Sequence, residues 1–233
     1  MSKFMRYGIY YVPARDTPLA EFGSAILGYD LERATERERL NVAGLLEGQL
    51  ARLTGRARRY GFHATLKAPF PLIAHRSRID VLKLAADIAD RCHAVELSGL
   101  EVAMLGDFVA LTPQQACPEL NALAAAFVEG LDPLRAVQAR DEVKWPPAKL
   151  SCRQSELLDA WGYPYVFDQY RFHMTLTDAI PAQLAGAVGD ALRRAAAGVV
   201  GKPLTIDTVM VVEETEATAP FRAIARLRLR GHR

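Results

Sequence analysis

One feature narrows the possible folds more than any other: a short pattern that occurs twice. Tyr60 to Phe70 reads Tyr-Gly-Phe-His-Ala-Thr-Leu-Lys-Ala-Pro-Phe, and 110 positions after His63 the chain returns to Arg171-Phe172-His173-Met174-Thr175-Leu176-Thr177. Alternation of apolar and polar residues marks a half-buried strand, in which successive side chains point to opposite faces. The first copy is expected to show His63, Thr65 and Lys67 on one face, with Phe62 and Leu66 packed beneath. The second is expected to show Arg171, His173, Thr175 and Thr177 together, above Phe172, Met174 and Leu176. Imidazole, hydroxyl and cation in a row describe a place for an anion. Two such rows describe two half-sites facing each other.

The elements around the copies repeat as well. After His63 the apolar spacing predicts a helix through Ile79, Leu82, Ala85, Ile88, Ala89 and Cys92, and then strands over Val95–Met104 and Phe108–Leu111 about a turn at Gly106-Asp107. After His173 it predicts a helix through Leu184, Val188, Ala191, Leu192 and Ala195, then strands over Leu204–Val212 and Phe221–Leu229. Agreement in order and spacing is stronger support for a duplicated unit than either motif alone. The expected organisation is one domain, 1–233, of two lobes. The His63 half-site spans about 57–131 and the His173 half-site about 169–233, with the N-terminal segment and the 132–168 connection packed on them.

Other segments fill in the frame. Tyr7–Val12 reads as a strand, and Thr17 followed by Pro18 caps a helix that ends at Gly28. Val42, Leu45, Leu46, Leu50 and Leu53 form a helical stripe, and Leu120 to Leu131 another. In the connection Trp145-Pro146-Pro147 breaks the chain, Ser151 to Trp161 suits a short helix, and Trp161-Gly162-Tyr163-Pro164-Tyr165 an aromatic turn. Arg56, Arg58 and Arg59, just ahead of the first motif, either border an anion site or are ordinary surface arginines.

Composition excludes several classes. With 233 residues, 50% of them apolar and 24% charged, the chain can bury a core without disulfide or metal staples. A net charge of +2 argues against a nucleic-acid-coating surface and leaves room for a local basic cleft. The three cysteines, Cys92, Cys117 and Cys152, fit neither a disulfide framework nor a zinc pattern. The start of the chain enters a strand-like run with no apolar signal region, and no segment is long enough to span a membrane. A cytoplasmic monomer is the expectation. No metal-ligand spacing, Walker loop, dinucleotide fingerprint or Gly-x-Ser-x-Gly elbow occurs, so neither metal nor cofactor is expected. His75, His93 and His232 sit in polar or terminal settings and are read as solvated.

Cleaving a phosphodiester without a metal needs a base on the attacking oxygen and an acid on the departing one. Histidine suits both, because its ordinary pKa of about 6.5 lets either protonation state exist near neutrality. Thr65 and Thr175, two residues on, are placed to donate hydroxyls to non-bridging phosphate oxygens. Lys67, Arg171, Thr177 and Tyr60 complete the candidate site as substrate-binding groups; strand-edge solvation is the alternative for Lys67 and Arg171.

At these residues the sequence resembles the 2H phosphoesterase superfamily, named for two His-x-Thr/Ser motifs on facing strands. The stretches Arg59 to Lys67 and Phe172 to Thr177, with Gly23 to Gly28 and the Trp161 to Tyr165 turn, are similar to its DUF1045 branch, which is associated with phosphonate metabolism. Ala68 departs from that branch, where a second proline is expected beside Pro69. The resemblance implies a bilobal, pseudo-symmetric α+β fold, two antiparallel sheets with helices on their outer faces and a central cleft. It also implies metal-independent, two-histidine hydrolysis of a cyclic phosphodiester in a nucleotide or ribose cyclic phosphate. Two alternatives stay open on the same residues: an RNA 2′-5′ end ligase or RNA-processing enzyme acting on an RNA end, and a non-catalytic binder of phosphorylated nucleotides.

Overall fold

The computed structural model describes residues 5–138 and 150–231. The Trp145-Pro146-Pro147 break and His232 therefore lie outside the described residues. The chain builds β1 (Arg6–Tyr11), α1 (Pro18–Leu27), the short β2 (Tyr29–Asp30) and β3 (Thr35–Glu36), α2 (Gln49–Leu53) and β4 (Ala64–Pro71). Then come α3 (Arg78–Ala89), β5 (Val95–Leu97), β6 (Leu100–Leu105), β7 (Phe108–Pro113) and α4 (Pro118–Leu131). The rest of the chain forms α5 (Cys152–Trp161) within the connection, then β8 (Met174–Thr175), α6 (Ala182–Ala196), β9 (Leu204–Ile206), β10 (Thr208–Glu214) and β11 (Arg222–Arg228).

Local chemistry explains most of these boundaries. The Thr17 side chain accepts from the Ala20 amide at the start of α1, Pro18 takes the first turn, and Gly28 closes the helix in the left-handed conformation. Ser77 and Asp80 form a capping box on α3, and Ser151 and Gln154 form one on α5. One expectation fails here. The stripe from Val42 to Leu53 is helical only over Gln49–Leu53, because Gly44 and Gly48 take φ of 96° and 68° and interrupt the helix. Leu46, expected inside, is 76% exposed.

The order in the main sheet is β11-β10-β1-β4-β8-β7-β6, and its pairs are antiparallel. The two expected sheets meet as wings of this one sheet, joined at a single pair, Ala64 opposite Met174. The predicted division into halves needs correction. The hairpin β6–β7, which follows His63 in the chain, lies beside the His173 strand. The hairpin β10–β11, which follows His173, completes the wing containing the His63 strand through β1. Each half also gives a short strand to the other: β5 pairs with β9, Val95 opposite Ile206 and Leu97 opposite Leu204. The lobes of the molecule are therefore not the segments 57–131 and 169–233.

One face of the sheet carries Tyr7, Ile9, Leu66, Phe70, Val109, Leu111, Met174 and Val211 into a core shared with Ile26, Leu53, Val81, Phe127, Val188 and Leu192 of the helices. A smaller cluster, Tyr10, Val12, Tyr29, Leu31, Met210, Val212 and Phe221, covers part of the other face. The histidines stand on that second face.

Candidate active site

Ala64 and Met174 face each other with their side chains in the helical core. Alternation then sends their neighbours, His63 and Thr65 on one strand and His173 and Thr175 on the other, to the opposite face. An antiparallel register centred on that pair sets His63 across from Thr175 and Thr65 across from His173. The four groups form the corners of one patch, and the structure brings all four together.

The imidazoles are anchored alike. His63 Nδ1 lies 2.9 Å from the Gly61 carbonyl, and His173 Nδ1 lies 2.8 Å from the Arg171 carbonyl. A carbonyl can only accept, so in both rings Nδ1 carries the hydrogen and Nε2 presents its lone pair to the patch. The Thr65 hydroxyl donates to His63 Nε2 at 3.0 Å. Gly61 makes the first anchor possible. It has φ of 67°, and a Cβ there would stand 2.6 Å from Leu31 Cβ. The Tyr10 ring stacks on His63 at 3.8 Å and 23°, while Phe108 lies 5.7 Å from His173.

Burial holds His63 down to about 4; its Gly61 hydrogen bond opposes the shift, and the nearby His173 adds to it. His173 is lowered too, again by burial, against the pull of the Arg171 carbonyl. Both rings are thus neutral at pH 7 before any anion arrives.

The remaining candidates divide. Tyr60 is on this face, its ring 6.4 Å from His63 and stacked 5.2 Å from Phe221. The Arg171 side chain is exposed, and it is the backbone carbonyl that serves His173. Lys67 is not on the histidine face. Tyr10 pairs with Thr65 while its neighbour Ile9 pairs with Lys67, so β4 has one extra residue here. Such a bulge turns the following side chain to the opposite face. Lys67 is therefore buried, 3% exposed, donating to the Val128 carbonyl at 2.8 Å and lying 3.7 Å from Asp132. Burial lowers its pKa from 10.5 to about 8, against the attraction of Asp132. Its side chain borders a recess of about 180 Å³ shared with Arg135, Trp161 and Tyr163. Thr177 is also withdrawn: it is fully buried, and its hydroxyl accepts from the Val109 amide at 2.9 Å. The Leu176 and Thr177 amides both donate to the Val109 carbonyl, a second irregularity that turns Thr177 inward.

Several contributors escape the strand pattern. Tyr170, the counterpart of Tyr60 at the same 110-residue offset, donates its hydroxyl to the Thr65 carbonyl at 3.0 Å. Asp178 accepts from the Arg56 and Ala57 amides, each at 2.7 Å, and so ties the turn before His63 to the segment after His173. Of the arginine cluster, Arg58 pairs with Glu36, whereas Arg59 packs toward Tyr60 and Phe221. Among the described residues no three His, Cys, Asp or Glu side chains converge as a metal site, and no helix is long and apolar enough to cross a membrane.

The class this defines is an α+β protein with paired His-x-Thr strands on one sheet face. Over residues 65–222 the chain matches the family described as "Protein of unknown function (DUF1045)", and it belongs to that family. It is 38% identical over 231 residues to the ribose 1,5-bisphosphate phosphokinase PhnN of Janthinobacterium sp. (strain Marseille), covering 97% of this chain and 51% of that protein. The protein of the same name from Laribacter hongkongensis (strain HLHK9) is 35% identical, with coverage of 94% and 50%. The chain thus spans about half the length of the curated relatives it matches. Among solved structures, E. coli LigT complexed with 3′-AMP overlaps at a TM-score of 0.47 and 14% identity, over 97% of this chain and 98% of that one. TT0787 of Thermus thermophilus gives 0.47 and 13%, over 98% and 100%.

Proposed function

We propose that the protein is a phosphoesterase, a phosphoric diester hydrolase that opens a cyclic phosphodiester on a small phosphorylated sugar or nucleotide by two-histidine acid–base catalysis. The observation that carries this reading is the four-cornered patch around Ala64 and Met174, with each Nδ1 tied to a carbonyl and each Nε2 turned toward the patch, where it can exchange a proton. One imidazole takes a proton from the attacking water. The other, protonated, delivers one to the ring oxygen that leaves phosphorus. Opening the ring therefore moves one proton on and one off the pair, and exchange with solvent restores it. The Thr175 hydroxyl, and the Thr65 hydroxyl once it turns from His63 Nε2, donate to the non-bridging oxygens, where negative charge accumulates.

The neutral resting state is compatible with this chemistry. A bound phosphate brings negative charge against the patch and raises the pKa of the nearer ring, so that substrate supplies the acid its own cleavage needs. The curated relatives are named for ribose 1,5-bisphosphate, which favours a phosphorylated ribose as the substrate class. The Walker loop that a phosphate-transferring P-loop site needs is missing from this sequence, so the kinase name is not extended to it.

The test is turnover of a panel of 2′,3′- and 1,2-cyclic phosphates by purified protein in the presence of a chelator. His63→Ala and His173→Ala are each expected to lower kcat by about 10²–10⁴-fold, the usual worth of a positioned acid or base. Activity that survives in both variants defeats the mechanism.

A further inference from the structure

Beside His63, on the same sheet face, lies a group of charges that the reaction above does not use. On β1, Arg6, Gly8 and Tyr10 alternate to the histidine face, and Arg6 sits opposite Glu214 of β10. Arg6 Nε donates to Glu214 Oε2 at 2.6 Å. Arg59, arriving from the turn ahead of His63, is ion-paired with the other oxygen, Oε1. Both guanidiniums lie against Phe221, with Cζ 5.8 Å and 5.9 Å from its centroid, and Arg59 also packs 5.6 Å from the Tyr60 ring.

Three properties set this group apart from an ordinary structural ion pair. The charges do not balance, since two guanidiniums share one carboxylate and leave a net positive charge. Accessibility is divided unequally: the Glu214 side chain is 1% exposed, whereas Arg59 and Arg6 keep 20% and 32%. The carboxylate is sealed beneath and the cations open onto the face. The group is also contiguous with the histidine patch. Gly8, between Arg6 and Tyr10, lies against Tyr10 and Val212, where a Cβ would stand 3.3 Å from each, and Tyr10 stacks directly on His63. The Tyr60 ring connects Arg59 to His63 along the other side.

We propose that Arg6 and Arg59, held in register by Glu214, form a second anion subsite, and that the substrate carries a phosphate monoester in addition to the phosphodiester that is cleaved. Arg59 Nε also donates to the Ala219 carbonyl at 3.0 Å, and guanidiniums pre-oriented in this way lose little freedom when their remaining N–H groups bind phosphate. Glu214 acts here as a positioning residue and touches no ligand. The proposal rests on the histidine patch binding phosphate, so the experiment separates the two.

Calorimetry on the full chain compares adenosine 3′-monophosphate with adenosine 3′,5′-bisphosphate. Charge-assisted hydrogen bonds to the second phosphate are expected to give the wild-type protein a preference for the bisphosphate of about ten- to a hundredfold. Arg6→Gln and Arg59→Gln should each cut that ratio severely and leave the monophosphate affinity unchanged. His63→Ala should weaken both ligands and preserve the ratio. Arg59→Lys, which keeps the charge but not the fork, should retain part of the preference, and it covers the case in which the glutamine variants do not fold. Equal affinity of the wild type for the two ligands, or a preference that persists in the glutamine variants, overturns the subsite alone. Failure to bind either nucleotide overturns it together with the reading of the histidine patch.

Discussion

Each histidine is held neutral by burial and held in orientation by a backbone carbonyl, and these facts set the pH behaviour of the site. The acid–base pair works when one ring is protonated and the other is not. With His63 lowered to about 4 and His173 below its ordinary 6.5, that singly protonated state of the free protein lies on the acidic side of neutrality. We expect kcat/KM to peak below pH 6.5, falling above as both rings lose their proton and falling near 4 as both hold one. Stability moves in a related way. His63 has a lower pKa folded than unfolded, so between about 6.5 and about 4 the unfolded chain binds more protons. The neutral ring's contribution is complete above that window and is lost as pH falls through it. Thermal melts from pH 7 to 4 should show this loss in the wild type and a shallower one in His63→Ala; equal slopes contradict it.

Between the elements, the sequence and the structure agree where period and face coincide, and part where a strand slips by one residue. The pattern Phe62-His63-Ala64-Thr65-Leu66 is legible because each step alternates, and both histidines and both threonines are found on the face it predicts. Lys67 continues the same alternation in the sequence, yet the bulge opposite Ile9 and Tyr10 turns it to the other side. No residue type announces that bulge, since it is set by β1 and β4 pairing over a long separation. Thr177 is lost to the site for a like reason, at the irregularity around Val109. Tyr10 and Asp178 are invisible to a local reading because their partners lie far away in the chain.

Lys67→Met should accordingly leave activity near the wild-type level. Its pKa is lower folded, about 8, than the ordinary 10.5, so the wild type gains stability as pH rises through that interval, and the methionine variant does not. Denaturant melts at about pH 7.5 and about pH 11, on either side of that shift, measure the difference. Asp178→Ala removes two charge-assisted hydrogen bonds from the turn that presents Gly61, and should cost roughly 1–3 kcal/mol of stability. Its effect on turnover should exceed that of Lys67→Met, although Lys67 is the more buried of the two residues.

At the scale of the whole molecule, the exchange of hairpins makes the histidine patch a property of the complete sheet. In the N-terminal part, β1 lies between β4 and β10, and β10 comes from the far end of the chain. The β5 strand has β9 as its partner, and β7 lies between β6 and β8. A fragment 1–138 would hold β1, β4, β6 and β7 but lack β8 at the junction, β9 beside β5, and β10 and β11 beyond β1. It would leave Ile9, Leu66, Val109 and Leu111 without Met174, Leu176, Val209 and Val211, their companions in the core. Lost apolar burial of about 25 cal/mol per Å² across so many side chains exceeds the few kcal/mol by which a domain is stable. The expectation is that fragment 1–138 alone gives no cooperative thermal transition and poor amide-proton dispersion. Mixing it with fragment 139–233 should restore both. If fragment 1–138 instead folds cooperatively by itself, the sheet is divisible at Ala64 and Met174, and the two half-sites are separate folding units after all.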